Sequence, residues 1–381
     1  MPELTDYAII GAGPAALCAI PTLIAHGVHP SKITWIDNSG FNAGAFGSEL
    51  SLGSSVPGNT SVESYQKVNS AIYKILTDYK PKKDFTINTL PLDNTCPLKI
   101  AAEPMQDLTN YLRTKVISIP GTVNNIITIN SGIKITLTLA NNLHQNIIAR
   151  KCILAVGATP KIFKLPENYQ NLTIINNPNI LFTKSRLKEY LAYLTQNNLK
   201  ITHFAVIGSS HSAALAIMNL LEAGISVKQF MNKPYKFAQV CTSPDGIKYT
   251  KHDNTGLKGD VAAYTKKLLN QDNKKNYQIY LGYSQEEIHN LIIKHLYNCS
   301  HIIATIGYQT ANTLLINNCP LDQFTYNNQT TEFHQINNLF GIGIGFPLQV
   351  TAPDGEVEFA VGYGKFWNAV NNPQVLKAWG H

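Results

Sequence analysis

No Cys-x-x-Cys pair occurs in this chain of 381 residues. Its six cysteines, Cys18, Cys96, Cys152, Cys241, Cys299 and Cys319, stand singly and far apart. Such spacing encodes neither a zinc cluster nor a local redox dithiol, and isolated cysteines are mostly small buried hydrophobes. No run approaches 18 consecutive apolar residues, so no membrane-spanning helix is predicted. The opening Met1-Pro2-Glu3-Leu4-Thr5-Asp6 lacks the basic start of an export signal, which makes cytoplasmic placement the expectation. Charge is also sparse, at 14% of residues, with 31 Lys+Arg against 24 Asp+Glu and a net +7. The lysines form no dominant block, so no nucleic-acid partner is expected. A diffuse positive excess serves equally to attract anionic small molecules.

What is present begins at the N-terminus. Tyr7-Ala8-Ile9-Ile10 reads as a buried strand, followed by Gly11-Ala12-Gly13-Pro14-Ala15-Ala16. A helical pattern with Leu17, Ile20 and Ile24 on one face then runs to Gly27, and a second strand, Ile33–Ile36, closes on Asp37. Strand, glycine turn, helix, strand and acid stand in the order of the dinucleotide fingerprint. Gly11 permits the tight turn, Gly13 lets a pyrophosphate approach the backbone, and Ala16 lets the helix pack closely. The helix start presents free N–H groups and partial positive charge to phosphates. Asp37, with Asn38 beside it, is placed to accept hydrogen bonds from a ribose. Pro21 falls inside the helix, where a kink is expected.

The pattern recurs. His203–Ile207 is a strand, Gly208-Ser209-Ser210-His211-Ser212-Ala213 a turn, Ala214–Leu221 a helix and Ile225–Phe230 the next strand. Ser210 replaces the middle glycine. No acid ends this strand. Met231-Asn232-Lys233 stands there instead, which favours the 2′-phosphate of NADPH, with NADH the alternative. His211, at the helix start, reads chiefly as a turn residue. Between the two units, Thr122–Ile129, Gly132–Leu139 and Gln145–Ile148 alternate as an antiparallel meander. Three apolar strands end in glycine: Lys151–Val156 at Gly157, His301–Ile306 at Gly307, and Asn338–Ile342 at Gly343, the last followed by Phe346-Pro347. Glycine at such ends lets backbone approach a flat cofactor. The aromatics Phe359, Tyr363, Phe366 and Trp367 sit at near-helical spacing, as core or as a wall near that cofactor.

These residues resemble the two-dinucleotide-binding flavoproteins, and within them the flavin-dependent monooxygenases and N-hydroxylases. Gly11–Ala16 resembles their FAD motif, Ile153–Pro160 their linker strand, Gly208–Ala214 the NADPH turn of the N-hydroxylases, and Ile303–Tyr308 the late Ala-Thr-Gly-Tyr motif with Ile306 as an extra residue. The reductase branch places an Asp in its last glycine turn, and Gly343-Ile344-Gly345-Phe346 has none. Ser55–Glu63, with its Asn-Thr-Ser-x-Glu run, resembles the monooxygenase segment whose asparagine contacts the flavin. The resemblance makes Asn59 the catalytic candidate; otherwise Asn59 caps the helix expected over Val62–Leu76.

The expected fold is α/β, with two Rossmann-like dinucleotide-binding domains, the nicotinamide domain (166–300) inserted into a discontinuous FAD domain (1–165 and 301–381). FAD is expected at Gly11, Gly13, Pro14, Ala15, Ala16, Asp37 and Asn38, with Gly157, Gly307, Gly343, Phe346 and Pro347 nearby. NADPH is expected at Gly208, Ser209, Ser210, His211, Ser212 and Lys233, and no residue is read as a metal ligand. Three readings follow: a flavin monooxygenase acting on a small molecule, an NAD(P)H-dependent reductase or oxidase without a redox dithiol, or a non-catalytic FAD-binding protein. The loops Gly40–Gly58 and Lys233–Lys258 are expected to shape the substrate pocket. Neither the substrate nor the oligomeric state is legible.

Overall fold

An apolar run without alternation can be buried on both faces only as an interior strand. In the computed structural model, β1 (Leu4–Ile10) lies parallel between β2 (Ile33–Asp37) and β7 (His144–Leu154). The structure describes residues 4–48, 50, 56–81, 84–165, 172–271, 275–310 and 314–381. Between β1 and β2, α1 (Pro14–Ala25) starts on a proline, whose missing N–H and fixed φ suit the first helical position. The helix continues through Pro21, which lies on its buried side, so the expected disturbance does not end it.

Next come β3 (Pro57–Ser61), α2 (Val62–Ile75), β4 (Thr95–Pro97), α3 (Leu98–Lys115), β5 (Ile117–Ile129) and β6 (Gly132–Leu139). The expected meander is present, with one change. The strands read separately at Gln145–Ile148 and Lys151–Val156 are a single strand, β7, because no turn residue interrupts Ala149-Arg150. That strand pairs antiparallel with β6 and parallel with β1. The short β8 (Ala158–Pro160) then leads out of this half.

The inserted half holds β9 (Thr173–Ile175), α4 (Lys184–Gln196), β10 (His203–Ile207), α5 (His211–Glu222), β11 (Ser226–Met231) and the hairpin β12 (Gln239–Thr242) and β13 (Lys248–Lys251). It continues with α6 (Gly259–Leu269), β14 (Tyr277–Leu281), α7 (Gln285–His295) and β15 (Cys299–Ala304). Its sheet, in the order β14-β11-β10-β15-β9, is parallel throughout. His301–Ala304, expected in the flavin half, therefore belong to the second sheet. The return crossing is β16 (Tyr308–Thr310), which pairs antiparallel with β8 to form a two-stranded ribbon where the chain leaves and re-enters.

The last segment carries β17 (Leu315–Ile316), β18 (Cys319–Pro320), β19 (Leu339–Gly341), the hairpin β20 (Gln349–Thr351) and β21 (Val357–Phe359), α8 (Tyr363–Val370) and α9 (Pro373–Trp379). The first sheet runs β18-β17-β5-β2-β1-β7-β19, with β6 pairing both β5 and β7. Alternate residues of each sheet feed cores on opposite faces. In the first sheet Ile9 and Trp35 pack with α1, α2, α3 and α8, while Ile10 and Ile36 pack with Ile135, Phe333 and Phe346. In the second, Phe204 and Val206 pack with Leu215 and Leu257, and Ala205 and Ile207 with Phe230 and Ile292. Among the described residues, no helix is long and apolar enough to cross a membrane.

Candidate functional site

Two glycine turns, 197 residues apart in sequence, share one geometry. Gly11 has φ +102° and donates its N–H to Ile36 O at 2.8 Å, while its carbonyl accepts from Trp35 Nε1 at 2.9 Å. Gly208 has φ +133°, donates to Phe230 O at 2.8 Å, and accepts from Gln229 Nε2 at 2.7 Å. A Cβ at residue 11 would stand 2.4 Å from Ala155 O, and one at residue 208 would stand 2.5 Å from Thr305 O. Only glycine fits either place, since a side chain would meet backbone in a left-handed conformation.

Past these turns the backbone is bare. A Cβ on Gly13 would meet nothing within 4 Å, and the same holds at Gly157 and Gly307. Gly13 precedes Pro14 at the start of α1, and Gly343 (φ +85°) is pressed against Ala15, where a Cβ would lie 2.8 Å from Ala15 Cβ. The fully buried Ala16 lets the helix sit tightly on the sheet. Uncovered backbone at a helix start suits a pyrophosphate. Asp37 is less free than its position suggests. Its Oδ1 accepts from Ala12 N, and Oδ2 from Ser39 N, Ser39 Oγ and Phe41 N, at 2.8–3.1 Å. One lone pair of Oδ1 is left for a ribose hydroxyl. Asn38 beside it is exposed.

In the second unit α5 begins at His211, three residues earlier than the sequence suggests, with Ser210 at the N-cap and no side-chain capping bond from it. Serine 210 keeps its hydroxyl for another partner. His211 Nδ1 is buried without one. Burial, and then the nearby Lys258 ammonium, push this imidazole down to about 4, so it is neutral at ordinary pH.

A cleft of about 1190 Å³ opens between the halves, more than the roughly 300–1,000 Å³ of one small-ligand site. Seven of the expected residues line it: Asn59, Ser209, Ser210, His211, Ser212, Lys233 and Gly307. Gly11, Gly13, Pro14, Ala15, Ala16, Asp37, Asn38, Gly157, Gly208, Gly343, Phe346 and Pro347 are outside its lining. The Phe346 side chain does not face the cleft. It is 4% exposed and packs edge-on against Tyr326 and Phe333, a core residue beneath the last glycine turn. The Pro347 carbonyl accepts the Tyr326 hydroxyl at 3.0 Å.

Asn59 does not cap α2. Ser61 does, its hydroxyl accepting from Ser64 N, which leaves Asn59 exposed on β3 at the cleft. Residues 49 and 51–55, which include Ser55 and part of the Gly40–Gly58 loop, lie outside the described residues. The aromatic group divides: Tyr363 and Phe366 are buried, Tyr363 and Trp367 border the cleft, and Phe359 is half exposed.

The sequence reading missed the far wall. Lys67, Lys258 and Lys365 join the expected Lys233 along the cleft, with Asp253 the one acid among the described lining residues, a surplus that attracts anions. Asp253 holds Lys258 and Lys365 on its two oxygens. Burial pushes its carboxyl up, but the two ammoniums prevail and hold it below the usual range. His252, Glu356 and Glu358 bring their ligand atoms within 4.8 Å of one another, yet chemistry there is hydrogen bonding. Glu358 accepts four bonds from Asn254 and Thr255, and Glu356 pairs with Lys236 and His252. No local pattern announces these contacts, because partners are about 100 residues apart.

A family model described as pyridine nucleotide-disulphide oxidoreductase matches residues 5–318. The chain is 27% identical over 398 residues to a protein described as monooxygenase AgnR1 of Paecilomyces divaricatus, covering 96% of each. Among solved structures it superposes on bacillithiol disulfide reductase Bdr of Bacillus cereus with a TM-score of 0.58 and 12% identity, covering 99% of both chains. It superposes on ornithine hydroxylase PvdA of Pseudomonas aeruginosa with a TM-score of 0.56 and 12% identity, over 99% of this chain and 98% of that one. At such identities the two structures speak for the fold alone.

Proposed function

Since the chain belongs to the pyridine nucleotide-disulphide oxidoreductase family and is a flavin-dependent oxidoreductase using a pyridine nucleotide, we propose that it is an FAD- and NADPH-dependent monooxygenase acting on a small molecule. The observation that carries this reading is the make-up of the cleft: Asn59 faces it and none of the six cysteines lines it. Disulfide reduction by a dithiol beside the flavin has no residues to run on. Four cysteines are buried, and burial raises the Cys18 and Cys152 thiols well above their ordinary range, away from the reactive thiolate. The 27% identical relative described as a monooxygenase supports the same choice.

When bound, the flavin would take a hydride from the nicotinamide and hand the electrons to oxygen. The protein's part is placement. Gly11, Gly13 and the start of α1 would hold the pyrophosphate of FAD, with Asp37 Oδ1 on its ribose. Gly208, Ser209, Ser210 and Ser212 would receive that of NADPH, and Lys233, exposed at the rim, would meet the 2′-phosphate. His211, kept neutral, can donate or accept one hydrogen bond without adding charge. Asn59 offers a neutral amide donor from β3. The substrate itself is not specified by any of these groups.

The test is Asn59→Asp, which keeps size but replaces the donor with a negative acceptor. Losing a hydrogen bond to a charged group costs about 1.5–3 kcal/mol, so the share of NADPH oxidation ending as hydrogen peroxide should rise about tenfold. Equal peroxide yield from both proteins, with candidate amines, sulfides and ketones all unmodified, would favour the oxidase or reductase reading.

A further inference from the structure

The segment from Lys251 to Lys258 belongs to the nicotinamide half, yet its first five residues are each tied to residues 354–365 of the flavin half. Lys251 pairs with Asp354 at 3.0 Å, and His252 Nδ1 meets Glu356 at 2.5 Å. Asp253 pairs with Lys365 at 2.7 Å. Asn254 Oδ1 accepts from Lys365 Nζ at 2.5 Å and from Val361 N at 3.3 Å. Glu358, on β21 and 5% exposed, does most of the holding. Its Oε2 accepts from Asn254 N and Nδ2 at 3.0 and 3.1 Å, and its Oε1 from Thr255 N and Oγ1 at 3.1 and 2.5 Å. All four carboxylate lone-pair sites are used.

The far end of this strap carries a charge to a specific place. Lys258 pairs with Asp253 and is the N-cap of α6, directly before Gly259 (φ +58°). It lines the cleft with Ser209, Ser210, His211 and Ser212 at the start of α5. Phosphates held there would need a cation nearby, and the Lys258 ammonium, paired with Asp253, is close enough to lower the His211 imidazole.

We propose that Glu358 is a positioning residue for the pyridine-nucleotide site: it holds the 251–258 strap so that Lys258 contacts a phosphate of the dinucleotide. The inference rests on reading the second glycine turn as the nicotinamide site. Leu257 is buried in its own half and bonded to the backbone of Lys236 and Ala238, so the contact between halves fixes the other end of the strap, at residues 251–255.

The test is the affinity of the flavin-loaded protein for NADP⁺ and for NAD⁺, by calorimetry, in the wild type, Glu358→Ala, Lys258→Ala and the double variant. Flavin content and melting temperature are measured alongside. Glu358→Ala and Lys258→Ala should each weaken NADP⁺ by about tenfold, as for one charge-assisted hydrogen bond. The double variant should be within about twofold of Lys258→Ala, because coupled residues do not add. Loss with NADP⁺ alone identifies the 2′-phosphate, and loss with both nucleotides the pyrophosphate. Should Glu358→Ala fail to fold, Thr255→Val removes one of its four donors and should weaken NADP⁺ about twofold. Unchanged affinity in the foldable variants, or losses that add in the double variant, overturns the proposal. A wild type that binds neither nucleotide would instead overturn the reading of the site.

Discussion

Gly11 and Gly13 stand two residues apart in one motif, and the structure assigns them opposite kinds of work. At Gly11 an alanine Cβ would lie 2.4 Å from Ala155 O, on a backbone at φ +102°. Left-handed strain costs about 1–2 kcal/mol and overpacking about 1–3 kcal/mol, so Gly11→Ala should destabilise the apoprotein by about 2–5 kcal/mol. In a chain of 381 residues that lowers the melting temperature by about 3–6 °C. Gly13 has φ −82° and ψ −179°, extended backbone open to any residue, and no atom within 4 Å of a Cβ. Gly13→Val should therefore melt within a degree or two of the wild type when both lack flavin. The comparison must use apoprotein, because a ligand bound only to the folded state raises stability by mass action. In the flavin-loaded preparation the two variants part differently. Gly13→Val places a side chain where a phosphate would approach, so the folded protein should be colourless, measured as visible absorbance per chain. Full flavin occupancy in a folded Gly13→Val protein would refute the assignment of this turn to the pyrophosphate.

Two further outcomes follow from the second unit. The wild type should be reduced faster by NADPH than by NADH, and Lys233→Ala should erase most of that preference; equal rates in the wild type would remove the role of Lys233. His211 has its folded value near 4 against 6.5 for the free group. Between those values the unfolded chain binds a proton that the native one refuses, so stability is full above about pH 6.5 and falls as pH drops towards 4. The loss amounts to roughly 3 kcal/mol. Urea midpoints at pH 7 and pH 4.5 should converge in His211→Gln relative to wild type, and an unchanged gap would contradict the buried, neutral imidazole.

Both glycine turns were legible in sequence because their requirements are local. A strand, a residue forced to positive φ and a helix start lie within about ten positions, and each leaves a residue signature. The same locality explains the small errors. The N-terminal boundary of α5 slipped by three residues, since Ser210, His211 and Ser212 read equally as turn or as first helical turn. Asn59 was a fair cap by type, but Ser61, two residues on, has the right spacing to Ser64. Phe346 was read as a cofactor neighbour from its place beside Gly343. The sequence could not show that it points to the opposite face, into Tyr326 and Phe333. The strap was invisible for a different reason. Glu358 finds Asn254 and Thr255 across 103–104 residues, and a buried glutamate on a short strand looks like any surface acid until its partners arrive.

The most direct measurement of the whole account is anaerobic addition of NADPH to the purified yellow protein, followed by air. The account predicts bleaching of the flavin absorbance by one equivalent of NADPH, and recovery on aeration with oxygen consumed. A protein that carries flavin yet stays yellow through anaerobic NADPH and NADH would contradict it.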